Sequence, residues 1–252
     1  GKYIGAYDAS LTLFDVESPS SYTKGRCANV GNYVLFGGGQ RFGNSGYLRI
    51  CTAYDTSLTL KKASDLTNLA NEMGAGSNGK YALFAGGFNN NDQLCSTVDA
   101  YNASLTKKNA PKLTTAQEAV VSANMKNMTL FALGDIEPNT SSGENAISEI
   151  NIYDQSLTHS SFNGITFRRK QGVGGAIGEY ALFAGGTFGN IHDVTDIVDV
   201  FNESLTKEED MNLSVARFWN AIGQSATVGN RILIAGGTAG GNEIRKVDVF
   251  QI

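Results

Sequence analysis

The side chains able to carry chemistry are few, and their spacing assembles no reaction centre. Histidine occurs only at His159 and His192. A metal site built on imidazole needs further ligands at set spacings, and Asp193 beside His192 is the only nearby candidate. The three cysteines, Cys27, Cys51 and Cys95, are an odd number without a C-x-x-C pair. Neither a disulfide framework nor a thiolate metal site is expected from them. Gly37–Gly39 and Gly172–Gly178 are glycine-rich. Neither fits G-x-x-x-x-G-K-[ST], and no helical pattern follows whose N-terminus would hold a phosphate. Asn89–Asp92 and Asp135–Glu137 are rich in oxygen ligands but lack the spacing of a calcium loop. No nucleophile elbow accompanies either histidine. The sequence predicts no catalytic residue, no metal and no cofactor.

What the chain does carry is repetition. Tyr7–Thr12 returns as Tyr54–Thr59, Tyr101–Thr106, Tyr153–Thr158 and Phe201–Thr206, and a sixth copy begins at Phe250. A second block, Tyr33–Gly39, returns as Tyr81–Gly87, Tyr180–Gly186 and Arg231–Gly237, with a degenerate copy at Thr129–Asp135. A period near 50 residues marks a repeat architecture. Each repeat reads as four strands. A small-residue stretch such as Met73–Ser77 suits an inner strand where sheets converge, and Cys27 falls in it, aligned with Ala75, Ala123, Gly174 and Ser225. The apolar run closing on Gly-Gly suits a strand buried on both faces. Segments such as Thr195–Phe201 alternate, as a strand with one packed face should. Asp or Asn followed by Ser then makes a local turn without glycine. The fourth strand ends in charge, at Lys61-Lys62, Lys107-Lys108 and Lys207–Asp210, which protects an outer edge from pairing with other chains.

Five Gly-Gly blocks predict five such sheets, and four-stranded sheets repeated radially make a β-propeller. The small-residue strand, the apolar strand ending in Gly-Gly and the V-D-x-[YF]-[DN] strand together resemble a kelch repeat over nearly the whole chain. Leu213–Arg217, Arg231–Gly237 and Val247–Phe250 form the copy most like it. The kelch tryptophan after the tyrosine is missing, and the only tryptophan, Trp219, lies elsewhere; leucine of the Ser-Leu-Thr element is expected to take its packing place. The resemblance is to a divergent, bacterial kelch-like family. The expected fold is all-β: one domain over residues 1–252, a five-bladed β-propeller of four-stranded antiparallel blades with seams near 17, 63, 111, 163 and 211. Ser10–Val16 is expected to pair onto Glu243–Phe250 and close the last blade, which leaves Tyr3–Tyr7 as a duplicate third strand.

The unrepeated loops after Gly-Gly are where function is expected, because variable loops on a rigid scaffold carry recognition. Arg41, Phe42, Phe88, Asn89, Asn90, Phe188 and His192 are the candidate binding residues. Arg168, Arg169 and Arg217 are expected to enter the central channel, with Glu118 as a possible acid. These features favour a non-enzymatic module that binds a protein or glycan. A carbohydrate-active isomerase or oxidoreductase with a channel site, and a structural spacer or oligomerisation unit, are the alternatives. A net charge of −4 gives no draw towards nucleic acid, and no apolar run reaches the length of a membrane span. A secreted or cell-surface setting is favoured over the cytoplasm.

Overall fold

The computed structural model describes residues 3–7, 10–17, 22–41, 46–68, 71–137, 145–189, 193–209, 211–219 and 225–251. All regular structure among them is β. A hairpin comes first, β1 (Tyr3–Tyr7) and β2 (Leu13–Glu17). Blade 1 follows with β3 (Tyr22–Thr23), β4 (Arg26–Val30), β5 (Tyr33–Gly37), β6 (Gln40–Arg41), β7 (Cys51–Asp55) and β8 (Leu60–Lys62). Blade 2 holds β9 (Gly74–Ser77), β10 (Ala82–Ala85), β11 (Val98–Tyr101) and β12 (Lys107–Asn109). Blade 3 holds β13 (Val121–Asn124), β14 (Met128–Ala132), β15 (Glu149–Asp154) and β16 (His159–Asn163). Blade 4 holds β17 (Val173–Ile177), β18 (Tyr180–Ala184), β19 (Ile197–Phe201) and β20 (Met211–Asn212). Blade 5 holds β21 (Ser225–Val228), β22 (Arg231–Ala235), β23 (Thr238–Ala239), β24 (Asn242–Glu243) and β25 (Val247–Gln251). The five antiparallel sheets stand around one channel as a five-bladed β-propeller, with the first long strand of each innermost.

The residue types explain the layering. Inner strands run side by side, β4 against β9, then β13, β17 and β21. A Cβ on Gly174 would come within 2.3 Å of the Ser122 carbonyl, so only glycine permits that approach. Ser122 Oγ donates to the Ala75 carbonyl (2.6 Å) and Ser225 Oγ to the Gly174 carbonyl (2.8 Å), tying adjacent blades at the channel wall. Pairing with the second strand puts Ser122, not Ala123, opposite Phe131, in the place that Cys27 takes opposite Phe36. In blades 2 to 4 the apolar second strand is buried on both faces, as its pattern requires. Ala82 and Phe84 pack with Val30, Leu35 and Ala53 of blade 1, and Leu83 and Ala85 with Val120 and Phe131 of blade 3. Burying each large side chain of this kind contributes about 1.5–3 kcal/mol.

Two polar devices recur. In the turn between third and fourth strands, Asp55 Oδ1 accepts from the amides of Ser57 (3.0 Å) and Thr59 (2.9 Å), and Asn102, Asp154 and Asn202 do the same. These bonds hold the leucine of Ser-Leu-Thr in the left-handed region, with φ of 58° at Leu58 and 61° at Leu205, which a leucine seldom adopts unaided. Leu157 is buried and Leu105 and Leu205 pack on the core, while Leu58 is 38% exposed, so leucine fills the tryptophan's place in some blades only.

The second device is a latch. The polar residue of the third strand reaches the connection arriving from the previous blade. Asp99 accepts from Thr67 N (2.7 Å) and Oγ1 (2.6 Å), Asn151 from Thr114 N and Oγ1, Asp199 from Thr166, and Asp248 from Ser214 N (2.9 Å). Just before each latched residue, Leu66, Leu113, Ile165 and Leu213 drop into the core. The edge lysines Lys107 and Lys207 turn back onto Asp99 (3.3 Å) and Asp199 (2.9 Å), so these two charges brace the latch as well as blunting the edge.

The seam departs from expectation. β2 pairs with β1, from Tyr3↔Glu17 to Tyr7↔Leu13, and not with blade 5. Among the described residues β25 pairs only with β22, so the main sheet of blade 5 has three strands where those of the other four blades have four. The hairpin's register repeats Tyr54↔Leu60, Tyr101↔Lys107 and Tyr153↔His159, and Leu11 shares the left-handed φ at 60°. A tight local turn already encoded in residues 7–12 closes at far less entropic cost than a contact across the whole chain.

Asp199→Ala should cost about 3–5 kcal/mol, because it leaves the buried Arg169 guanidinium uncompensated. Urea denaturation measures this, and Asp199→Asn should lose less, since Asn151 already serves blade 3. A loss below about 1 kcal/mol for the alanine variant would make the latch dispensable. Burial opposes ionisation of Asp199 and Asp248, but Arg169 and Thr166 for the first, and Ser214 and Arg217 for the second, outweigh it and hold both carboxyls below the usual range. Their contribution is therefore complete above about pH 4 and lost as pH falls further. Unfolding midpoints at pH 6 and pH 3 should show that loss, reduced in Asp199→Asn.

Candidate functional site

Loops between the second and third strands, and connections between blades, share one side of the propeller. Most residues singled out in those loops serve the scaffold. Phe88 is 1% exposed and packs edge-on against Tyr47, with ring centroids 5.3 Å apart. Asn89 Oδ1 accepts from Asn91 N (2.9 Å) and Gln93 N (3.1 Å) within its own loop. Asn90 Oδ1 accepts from Tyr47 N (2.8 Å), joining the loops of blades 1 and 2. Arg41 is exposed in β6, opposite Tyr22. Phe188 is 46% exposed. Phe42 and His192 lie outside the described residues.

Arg168, Arg169 and Arg217 do not line the channel. Arg169 is fully buried and donates to the carbonyls of Gly185 (2.8 Å) and Phe183 (3.0 Å) and to Asp199 (2.7 Å). Arg217 is equally buried, pairs with Asp248 and lies 5.7 Å from the Trp219 ring centre. Both brace the latch of their own blades, because a guanidinium has enough donors to satisfy a carboxylate and nearby carbonyls together. Arg168 faces outward instead.

The channel, about 290 Å³, is lined by Arg26, Cys27, Ser122, Asn124, Ser225 and Thr227 among smaller residues. Its hydroxyl donors are engaged with neighbouring carbonyls, including Thr227 Oγ1 with Ala176 (2.8 Å), and Arg26 Nε donates to Met73 (3.1 Å). No carboxylate or histidine lines it among the described residues. Glu118 and Asp135 are joined by paired backbone bonds outside the channel, and the buried Lys170 ammonium pairs with Asp135, linking blades 3 and 4. His159 stacks on Tyr153 at 4.8 Å and meets Asn151 at 2.9 Å, so it is half-buried rather than freely solvated, and burial pushes its pKa down. No group of His, Cys, Asp or Glu that could hold a metal ion occurs among the described residues.

A cleft of about 250 Å³ opens on the loop side between blades 3 and 4. Thr115, Ser148, Glu149, Asn163 and Arg168 line it with Ile147. The connection that carries Arg168 is pinned at both ends to one carboxylate, since Thr166 and Arg169 both bind Asp199. Between these anchors Phe167 is 55% exposed, and Arg168 has no hydrogen bond or ion pair among the described residues. Ile136, at 45%, and Phe188 stand exposed on the adjoining loops of the same two blades. The arrangement offers a cation, a carboxylate, amide and hydroxyl groups and an aromatic face on fixed backbone. Phe167, Glu149 and Asn163 are absent from the sequence-based candidates. Their one sequence signal is an aromatic beside charge in an otherwise polar connection, Thr166–Lys170.

The chain matches no protein-family model and no curated protein. Among solved structures, that of YjhT superposes with a TM-score of 0.71, over 97% of this chain and 86% of that one, at 14% sequence identity. At that identity the likeness is one of fold, the β-propeller.

Proposed function

We propose that this chain is a non-enzymatic recognition module of kelch-like type, which holds a protein or glycan partner on its loop side through the cleft between blades 3 and 4. The observation that carries this reading is the Phe167-Arg168 pair, presented outward between two residues that share Asp199 as anchor. A preorganised aromatic and an arginine bind at low entropic cost, and both types are enriched at binding hot spots. Glu149, Asn163 and Ser148 supply the directional polar groups that a sugar hydroxyl or a peptide amide requires. The channel offers no acid–base pair among the described residues, which favours binding over turnover. A bacterial source and a secreted or surface setting belong to the same reading, as does the absence of a draw towards nucleic acid at a net charge of −4. No helix among the described residues is long and apolar enough to cross a membrane.

A glycan array and a panel of immobilised surface proteins, probed with the wild-type chain, should yield a ligand whose affinity falls at least about tenfold in Phe167→Ala or Arg168→Ala. Both variants should keep Tm within about 2 °C of the parent, because neither side chain packs inside the fold. Undiminished binding by the double variant would remove this cleft from consideration, and turnover of the bound ligand would overturn the non-enzymatic reading. Arg169→Met separates the two neighbouring arginines. It should destabilise by about 3–5 kcal/mol in urea denaturation, since Asp199 would lose a buried partner, whereas Arg168→Met should stay within about 0.5 kcal/mol of the parent.

A further inference from the structure

The junction between blade 5 and blade 1 differs from the other four. Third-strand side chains that face the next blade are closed off at every complete junction: Val98 is 4% exposed, Ile150 0% and Val198 0%. Their counterpart on blade 5, Val247, is 54% exposed, and Val249, two residues on, is also 54%. On the opposite flank, Ala82, Thr129, Ala181 and Ile232 are 0% exposed where they meet the preceding blade, yet Val34 of blade 1 is 42% exposed. The first glycine of the Gly-Gly pair records the same difference. A Cβ on Gly86 or Gly185 would lie 2.6 Å from a carbonyl of the following blade, Gln117 or Arg217. On Gly236 the nearest atom is 4.0 Å away, in its own blade. Both open flanks are the same apolar surfaces that pack together at the other junctions, so they continue an interface already built four times.

Two further features say what fits there. Among the described residues β25 has no partner on the edge where each of the other blades carries a fourth strand, and a groove of about 470 Å³ lined by Tyr180, Leu182, Val200, Met211 and Phe250 lies beside that edge. The β1–β2 hairpin has the register of a third and fourth strand but, among the described residues, no inner strands paired to it. Its Tyr7 is 67% exposed, whereas Tyr101, Tyr153 and Phe201 at the same place in complete blades are 0% exposed.

We propose that the space between blade 5 and blade 1 is the docking seat of one β-segment with this repeat's own pattern. Its first strand, of Ser-Leu-Thr type, pairs with β25. Its second and third, a small-residue strand and an apolar strand closing on Gly-Gly, slide between the two open flanks and form the inner half of the blade whose outer half is β1–β2. The occupant is recognised by main-chain hydrogen bonds along a free edge and by alternate apolar side chains, as in strand addition generally.

The probe is the chain's own segment 55–87, which has that strand order, fused after Ile252 through a short Gly/Ser linker. The fusion should raise Tm by about 5 °C or more and slow amide exchange along β25 at least about tenfold. Val247→Asp with Val249→Asp in the fusion should abolish both gains, and a scrambled segment should give neither. An unchanged Tm together with unchanged β25 exchange in the fusion would overturn the proposal. So would light scattering that shows the unfused chain self-associating with β25 already protected, because a second copy would then be the occupant.

Discussion

One short contact, between the polar residue of the third strand in blades 2 to 5 and the connection entering that blade, underlies most of this architecture. Each connection must cross from the outer edge of one blade to the channel side of the next. In doing so it would leave backbone donors without partners above an apolar core, at a cost comparable to a lost hydrogen bond for each. Asp99, Asn151, Asp199 and Asp248 supply the acceptors. With the hydroxyl-bearing residue held, the preceding Leu66, Leu113, Ile165 or Leu213 is committed to the core, and the strand that follows enters at the channel wall. Blade 4 adds a second use of the same carboxylate. Because Thr166 and Arg169 both end on Asp199, the two residues between them have nowhere to go but outward.

Between blades, packing rather than polar bonding decides. In blades 2 to 4 the second strand is buried on both faces because each blade presents one apolar side to its predecessor and another to its successor. That arrangement is directional, so a row of blades always ends in two unlike, unsatisfied flanks unless the ends meet. The exposure of Val34 at one end and of Val247 and Val249 at the other is the expected consequence. Serine and threonine hydroxyls bonded to the neighbouring inner strand add small, regular ties at the channel wall.

Much of this was legible in the sequence, for identifiable reasons. The Tyr-Asp-x-Ser-Leu-Thr block is read correctly as a turn because its bonds are local, from Asp55 to residues two and four positions on. The run before Gly-Gly is read correctly as a doubly buried strand because apolarity without alternation has few other meanings in so short a segment. Three readings fail where long-range geometry intervenes. Phe88 looks like an exposed loop aromatic and is buried against Tyr47, a residue of the neighbouring blade. Arg169 and Arg217 look like channel cations and are bound to carboxylates on the third strands of their own blades. Ser10–Val16 looks like the missing outer strand of blade 5 and pairs locally with Tyr3–Tyr7 instead.

The sequence alone determined the repeat, the strand order within a blade, the turn that ends each third strand and the number of Gly-Gly sheets, because each depends on interactions spanning a few residues or on a period that repeats in register. The tertiary structure decided which of three similar arginines faces solvent, that Phe167 stands exposed while Phe88 is buried, and that the two ends of the row of blades remain open. Those outcomes depend on which side chains meet across strands and blades far apart in the sequence, and a linear pattern carries no term for such meetings.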